Sequence, residues 1–445
     1  MSPQRFELLI GLYGDDRMAA ILSEQELIAS WLKVEAALAT AQAEAGVIAA
    51  DTAATIAGAA VPATIEAGRL WRETRNVGYP ILPLVRQLDE ALPHEHRGRA
   101  HYGATTQDIM DTGLAVQFDA VGGRLTELTD AFGDAIAALA TAHAHVVIAG
   151  RTHALQAVPT TFGAKMAGYL GELARDRARL VRAREEMATV SLFGAGGTSA
   201  AYGEHAVKVR TRVAELLSLR AADIPWHVSR DRLAEFGAAC ALLAATCARF
   251  AREVVDLSRT EIAEVSEAAG HLRGASSTMP QKANPIESEA VIGMAVTAGA
   301  LSSALYRIME AGHERAAGEW QAEWQVLPQL AALAAGALGT ARAVAEGLQV
   351  FPEAMRRNLR ADSGLVMAEA YMIGLAPRLG RENAHDLVYE AARRCRTTGE
   401  SLQAVLSDMV PGEAAGAVAE LRPEDYVGHP EVAIEAALAR WRDRG

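Results

Sequence analysis

Hydrophobic residues between positions 24 and 59 recur with the period of an α-helix. Leu27, Trp31, Val34 and Leu38 follow one another at spacings of three and four residues, which places them on one helical face. Little of the sequence is rich in β-branched residues or alternates hydrophobic and polar positions, as a strand would, and no strands are apparent. The pattern therefore predicts an all-α protein. Further long helices are predicted over residues 112–147, 159–189, 233–268, 285–311 and 324–347.

Glycine and proline residues mark the predicted ends of these helices. Gly150 is expected to stop the helix over 112–147, and Pro159 is expected to lie in the first turn of the next one. The glycine-rich residues 193–198 are predicted to form a flexible connection. Five residues are expected to interrupt the helical pattern early in the chain: Pro62, Gly68, Gly78, Pro80 and Pro83.

The length of these helices predicts the domain organisation. Long helices with small residues on several faces cannot all cover one globule, so they are expected to form a central bundle that packs on other subunits. A scaffold without catalysis would show the same periodicity. We predict an N-terminal helical domain over residues 1–112, a central long-helix bundle over 113–360 that includes a loop at 272–286, and a C-terminal helical domain over 361–445.

Composition agrees with helices and excludes several classes of protein. Half of the 445 residues are hydrophobic and only 5% are aromatic. The net charge is −12, and the Lys and Arg residues are scattered, which argues against a nucleic-acid partner. The uncharged run at 291–306 is shorter than the roughly 20 residues of a membrane span, so it is expected to be a buried core helix rather than a membrane segment.

Cysteine and histidine usage bears on location and cofactors. Cys240, Cys247 and Cys395 form no CxxC pair and are expected to be buried reduced thiols of a cytoplasmic protein. Residues 1–16 contain no apolar stretch typical of a secretion signal. No HExxH-type spacing and no strand-linked phosphate loop occur, so neither a metal nor a cofactor is expected.

The most informative segment for chemistry is the sequence GASSTMPQKANP at residues 274–285, between two predicted long helices. A connector needs turn-forming residues, but it has no need for Ser-Ser-Thr followed by Lys-x-Asn. From the residues alone, the segment is either a mobile loop that offers hydroxyls and other donors to an anion, or a plain connector.

This segment resembles the signature loop of the fumarase/aspartase superfamily, usually Gly-Ser-Ser-x-Met-Pro-x-Lys-x-Asn-Pro. Here Ala275 precedes the first serine, and Gly274 stands one place earlier. The resemblance implies that Ser276, ionised, is the general base, and that Lys282 and Asn284 hold the carboxylate next to the proton that is removed. Because serine is a very weak base, the loop must stabilise the alkoxide with backbone N–H groups or positive charge.

The sequence GRTHALQ at residues 150–156 resembles a second segment of the superfamily. There the histidine assists the departing group, which implies this role for His153 and a substrate contact for Thr152. Without the resemblance, His153 would be interpreted as a capped or surface histidine, since it lies near Gly150.

Two more segments, GATTQD at residues 103–108 and TRN at residues 74–76, resemble carboxylate-binding regions of the superfamily. Arg75 is also compatible with a surface role, and Arg315 with an ion pair to Glu314 or Glu319. His227 and Arg230 are further candidates for the pocket wall. The resemblance implies substrate contacts for Thr105, Thr106, Gln107, Arg75, Asn76, Ser277 and Arg315.

The resemblance also implies an assembly and a reaction. Superfamily members form homotetramers with a twenty-helix core, in which three subunits contribute to each active site. The expected substrate is a small dicarboxylate. The expected reaction is an anti β-elimination that breaks the C–N bond of an N-substituted succinate and gives fumarate or a close analogue through an aci-carboxylate intermediate.

Within the superfamily, the chain is most similar to the branch of 3-carboxy-cis,cis-muconate cycloisomerases, through residues 78–85, 225–232, 313–324 and 375–381. That activity is one alternative. However, bacterial cycloisomerases often lack a histidine equivalent to His153, which favours a C–N lyase. Adenylosuccinate lyase is a weaker alternative, because such enzymes usually have histidine at position 281. A dead scaffold is another, although it has no reason to retain the base, the lysine and the histidine together.

Overall fold

The computed structural model describes residues 8–410, 412–418 and 421–444. Both ends of the chain lie outside the described residues. They are residues 1–7, which open the predicted N-terminal domain and the stretch searched for a secretion signal, and residue 445, which ends the predicted C-terminal domain. The predicted all-α fold is confirmed. The α-helices are α1 Leu8–Tyr13, α2 Asp16–Ile21, α3 Glu24–Glu44, α4 Ala50–Ala59, α5 Ala67–Val77, α6 Ile81–Glu90, α7 Thr106–Ala142, α8 Phe162–Met187, α9 Ala206–Leu217, α10 Asp231–Leu257, α11 Ile286–Ile308, α12 Glu319–Gly347, α13 Pro352–Asn358, α14 Ala368–Leu379, α15 Arg381–Thr398, α16 Leu402–Met409 and α17 Pro430–Arg442.

Short strands accompany the helices, so the prediction that no strands occur is wrong. The strands are β1 Val147–Thr152, β2 Leu155–Thr161, β3 Thr189–Val190, β4 Arg220–Ala221, β5 Val265–Ser266 and β6 Gln349–Val350. β1 pairs antiparallel with β2, β3 parallel with β4, and β5 antiparallel with β6. Gly150 lies in β1 instead of ending a helix, and Pro159 lies in β2 instead of opening one. Both strands of a two-stranded sheet are edges, where a proline without an N–H is tolerated.

Several helix boundaries differ from the predicted ones for local reasons. The first predicted helix is two helices, α3 and α4, because Gly46 between them has a left-handed φ of 81°. Gly78, with φ of 90°, does end α5. Gly68 and Pro83 instead lie within the first turns of α5 and α6. A proline is accepted there because the first N–H groups of a helix have no partner within the helix. Helix α10 ends at Leu257 rather than near 268.

The chain divides into two compact units, whose boundaries fall within the five longest helices, α7, α8, α10, α11 and α12. Unit 1 comprises residues 1–129, 176–245 and 293–339. Unit 2 comprises residues 130–175, 246–292 and 340–445. The three-domain organisation with boundaries near 112 and 360 stays a prediction. Each unit has a hydrophobic core of its own, which includes Trp31 and Leu38 in unit 1 and Tyr371 and Leu406 in unit 2.

Two helices of the described residues, α10 and α11, are long and apolar enough by length and composition to cross a membrane. In α10, 61% of the apolar window is buried, but in α11 only 33% is buried. Val296 and Tyr306 of α11 are 69% and 54% exposed. Helix α11 is therefore not the fully buried core helix that was expected, and it presents an apolar side to the exterior of the chain. Cys240, Cys247 and Cys395 are buried, as expected.

Candidate active site

The loop over residues 272–286 lies in unit 2 and is closed at its base by hydrogen bonds. Ala275 and Ala283 form an antiparallel bridge. The backbone N–H and the side-chain Nδ2 of Asn284 donate to the carbonyl oxygen of Gly274 at 2.9 and 3.1 Å. Gly274 has a φ of 66°, and a Cβ there would lie 2.3 Å from the carbonyl oxygen of Asn284, so only glycine fits. Gly274, which stands one place earlier than the glycine of the family pattern, is therefore required by the geometry of this loop.

Ser276 receives two backbone donors within this loop. Its Oγ accepts hydrogen bonds from the N–H groups of Thr278 and Met279 at 3.3 and 3.1 Å. Donors aimed at an oxygen stabilise its anionic form more than its neutral form. Ser276 is half-buried, and its two donors favour an ionised Oγ over a neutral one. Lys282 is exposed in the same loop, and its backbone N–H donates to the carbonyl oxygen of Met279 at 3.1 Å.

Asn284 and Ser277 complete the set of predicted residues in the loop. The amide nitrogen of Asn284 is occupied by Gly274, so its contribution in this structure is to hold the loop closed. Ser277 is exposed, with its Oγ 3.5 Å from the hydroxyl of Thr278.

His153 lies at the tip of the β1–β2 hairpin in unit 2. His153 and Ala154 form its two-residue turn, with left-handed φ values of 52° and 67°. A type I′ hairpin turn requires positive φ at both positions, which residues other than glycine, asparagine and aspartate adopt only at a cost. Both side chains and that of Thr152 are exposed. The alternative interpretation of His153 as a surface histidine agrees with this exposure, whereas a capped histidine at a helix end is not what the structure shows, because a strand precedes it.

The end of this hairpin next to its turn is fixed by a buried ion pair that sequence reasoning missed. Arg151 Nη1 and Nη2 each donate to the Glu264 carboxylate at 2.8 Å, and Glu264 is fully buried. Glu264 Oε1 also accepts from Asn358 Nδ2 at 2.9 Å, while Gln156 Nε2 donates to the backbone oxygen of Asn358 at 2.9 Å. These contacts hold both strands and thereby position the turn that carries His153.

Replacing Arg151 with methionine is expected to lower the free energy of unfolding by about 3–5 kcal/mol, because Glu264 would be left as a buried charge without its partner. Denaturant unfolding followed by circular dichroism measures this loss. The double variant Arg151→Met, Glu264→Gln is the control and should regain most of the stability. If the single and double variants are equally stable, the ion pair does not hold the hairpin.

A second group of predicted residues meets in unit 1 around Arg315. Its Nη1 donates to Thr105 Oγ1 at 3.2 Å, its Nε to Gln107 Oε1 at 3.0 Å, and its Nη2 to the backbone oxygen of Ala195 at 3.4 Å. These acceptors are neutral, so the ion pair with a neighbouring glutamate that was considered for Arg315 is not what the structure shows. A guanidinium held by neutral groups retains its charge for an anionic ligand.

Gln107, for which a substrate contact was expected, lies inside the protein. It is fully buried, and its Nε2 donates to the backbone oxygen of His227 at 2.8 Å. Both polar ends of its side chain are therefore used within the protein, so Gln107 orients Arg315 in this structure. Thr106, next to it, is the first residue of α7.

Asp108 anchors this region, although the sequence assigned it no role. Its carboxylate accepts from the N–H groups of Thr105, Phe193 and Gly194 at 3.0, 2.9 and 2.9 Å, and from His227 Nε2 at 2.8 Å. The connection at 193–198 is thus held in place at its start instead of being free. A Thr-x-x-Asp sequence at the start of a helix resembles a capping box, and this signal points to part of the arrangement.

Arg230 is buried and serves the fold of unit 1. It donates to Asp111 at 2.9 and 3.1 Å and to Glu323 at 2.7 Å, with a further short contact to Glu323. Burial raises the pKa of Glu323 to about 7, against the lowering effect of Arg230. The expectation that His227 and Arg230 line a pocket is not met, because both are nearly inaccessible.

Arg75 and Asn76 lie in the last turn of α5 and are exposed. Among the described residues, no group of three or more histidine, cysteine, aspartate or glutamate side chains is arranged to hold a metal ion.

Comparisons with known proteins agree with this architecture. The family model described as Lyase matches residues 13–298, and the one described as Adenylosuccinate lyase C-terminus matches residues 364–436. The chain is 40% identical over 435 residues to a 3-carboxy-cis,cis-muconate cycloisomerase of Pseudomonas aeruginosa, covering 96% of this chain and 95% of the relative. It is 33% identical over 436 residues to an N-acetyl-S-(2-succino)cysteine lyase of Enterococcus italicus, covering 96% and 95%.

Solved structures show the same relationship. The crystal structure of the 3-carboxy-cis,cis-muconate lactonizing enzyme from Pseudomonas putida matches with a TM-score of 0.89 and 34% identity, covering 98% of this chain and 99% of that one. Sequence and fold agree over nearly the full length. The chain therefore belongs to the fumarase/aspartase superfamily of lyases, in the branch that contains the 3-carboxy-cis,cis-muconate cycloisomerases.

Proposed function

We propose that the protein catalyses an anti β-elimination on an N-substituted succinate, breaking the C–N bond and releasing fumarate or a close analogue. The observation that carries this proposal is the pair of backbone N–H groups on Ser276 Oγ, which favours the alkoxide. A serine held in this way, with a lysine six residues further along the same exposed loop, suits removal of a weakly acidic proton beside a carboxylate.

The proposed reaction proceeds in two steps. Ser276 takes the proton, and the electron pair left on carbon is delocalised into the adjacent carboxylate, which becomes an aci-carboxylate dianion. The ammonium of Lys282 neutralises this added charge. The electron pair then forms the double bond as the C–N bond breaks, and the leaving amine takes a proton from His153.

Substrate binding is assigned to the remaining predicted residues. Arg315, oriented by Gln107 and Thr105, offers a charge to the second carboxylate. Asn284 contributes by closing the loop. Further contacts are proposed for Thr106, Ser277, Thr152, Arg75 and Asn76. No metal or cofactor takes part in this proposal.

The same proposal includes a cytoplasmic homotetramer whose active sites draw on three subunits. The apolar exposed side of α11, with Val296 and Tyr306, supports burial against another copy of the chain. Burying this side would stabilise the assembly by roughly 25 cal/mol for each Å² of apolar surface that is removed from water.

The 3-carboxy-cis,cis-muconate cycloisomerase reaction is the second candidate. The 40% identity to the Pseudomonas aeruginosa relative favours it. A histidine at the hairpin tip favours an elimination instead, because a departing amine needs a proton whereas the lactone reaction releases no amine. The 33% identity to a relative named for a succinylated cysteine also supports elimination from a succinyl group.

Incubation with a panel of N-substituted succinates is expected to produce fumarate, measured by its ultraviolet absorbance, whereas 3-carboxy-cis,cis-muconate should remain unchanged. The variant His153→Asn should slow the release of weakly basic amines more than that of strongly basic ones, since a strongly basic amine is already protonated at neutral pH and a weakly basic one needs the acid. Turnover of carboxymuconate without fumarate from any succinate would replace the first candidate with the second.

A further inference from the structure

A cavity of about 390 Å³ in unit 1 is walled by four of the six tryptophans of the chain. Trp31 and Trp71 meet edge to face with their ring centroids 6.4 Å apart, and Trp320 and Trp324 meet edge to face at 5.2 Å. Trp324 is 39% exposed, whereas Trp31 and Trp320 are each only 3% exposed. Of these three rings, Trp324 is thus the most accessible to solvent. The volume lies in the range of small-molecule sites.

The charge on the cavity wall is negative. Asp111 and Glu323 line the cavity, whereas Arg230, which binds both carboxylates, is not among the lining residues. Above the pKa of Glu323, which is about 7, both carboxylates are ionised and together with one guanidinium carry a net charge of −1, so the binding tests below are made at pH 8.5. An anion would meet this charge unfavourably, and a cation would meet it favourably.

Indole rings add to this preference. The face of an aromatic ring is electronegative, and tryptophan attracts cations more strongly than the other aromatic side chains. Aromatic cages combined with acidic groups recognise quaternary and protonated amines, whose apolar parts pack on the rings. An apolar ligand without charge would use the rings but not the carboxylates.

We propose that this cavity is a binding site for an organic cation, namely a protonated or quaternary amine whose apolar part packs against the four indole rings. Trp31, Trp71, Trp320 and Trp324 supply the apolar and cation–π contacts, and the carboxylates of Asp111 and Glu323 supply the charge. The proposal is independent of the catalytic roles assigned above, since none of these six residues takes part in the proposed elimination.

Three probes with one ring and different charges test the proposal on the full-length assembled protein. Benzyltrimethylammonium, benzyl alcohol and phenylacetate are titrated while tryptophan fluorescence and heat are measured. The cation is expected to give a saturable fluorescence change and to bind at least about tenfold more tightly than the alcohol, with no saturable binding of phenylacetate. Equal affinity for the cation and the alcohol, tighter binding of phenylacetate, or no saturable signal would each overturn it.

Two variants locate the binding. Glu323→Gln retains an oxygen for Arg230 but removes the charge, so the affinity for benzyltrimethylammonium should fall about tenfold while that for benzyl alcohol is unchanged. The matched control Glu26→Gln removes the same charge from an exposed residue outside this cavity and should change neither. If Glu323→Gln does not fold, the partly exposed Trp324→Leu serves instead. It should weaken the cation more than the alcohol, and an equal loss for both contradicts the proposal.

Discussion

Ser276→Ala is expected to lower turnover on the order of 10³-fold while helicity and assembly remain unchanged. The substitution removes the atom that takes the proton, but it removes only two hydrogen bonds, both from the backbone of the same exposed loop. The substitution is therefore expected to leave the folded structure and its stability nearly unchanged. Steady-state kinetics with an N-substituted succinate measures the loss, and circular dichroism with size-exclusion chromatography checks the fold.

Two further substitutions distinguish a base from a residue that only shapes the loop. Ser276→Cys should retain more activity than the alanine variant and shift the pH profile to lower pH, because a thiol ionises near pH 8.5, far more readily than a hydroxyl. Ser277→Ala, at the exposed neighbouring position, should change KM more than kcat. Turnover of Ser276→Ala within tenfold of the wild type would show that another group is the base.

Lys282→Met is expected to lower kcat by about 10²- to 10³-fold with a smaller effect on KM. The ammonium is assigned to charge that develops only as the proton leaves, so its removal should raise the barrier more than it weakens binding. Because Lys282 is exposed, the fold should be unaffected. Steady-state kinetics over a range of substrate concentrations separates the two effects.

Lys282→Arg should restore part of the lost kcat, since it retains the charge with a different shape. The matched control is Lys208→Met, which removes an exposed lysine that donates to the backbone oxygen of Glu44 in unit 1. That variant should retain wild-type kinetics. A loss confined to KM in Lys282→Met would assign this lysine to binding and leave the charge on the aci-carboxylate to another group.

The positions of the long helices followed from the sequence. Helical periodicity is a local property, repeated every few residues, so it identified α7, α8, α10, α11 and α12 even where their ends were misplaced. The ends were less predictable because a hairpin of 15 residues, 147–161, contains glycine and proline in a β-branched context. Helix α7 ends before this hairpin and helix α8 begins after it because its two strands pair with each other, and this pairing cannot be read from composition.

The sequence singled out candidate site residues where a continuous motif carries them, and their roles stay predictions. Ser276 and Lys282 were singled out from one loop, and the structure adds the two amide donors that the chemistry of a serine base needs. Gln107 was assigned to the substrate because its segment resembles a carboxylate-binding region of the superfamily. Its burial and its bond to Arg315, 208 residues away, give it an orienting place instead.

Local sequence thus determined the helical class of this protein, the approximate positions of its main helices and the loop that carries the proposed base. Folding in three dimensions determined which distant residues meet: Arg151 with Glu264, Asp108 with His227, and the four tryptophans around one acidic cavity. The physical reason is that helix propensity and turn chemistry act over a few residues. Buried charges and rings, by contrast, find their partners only when packing excludes water from both.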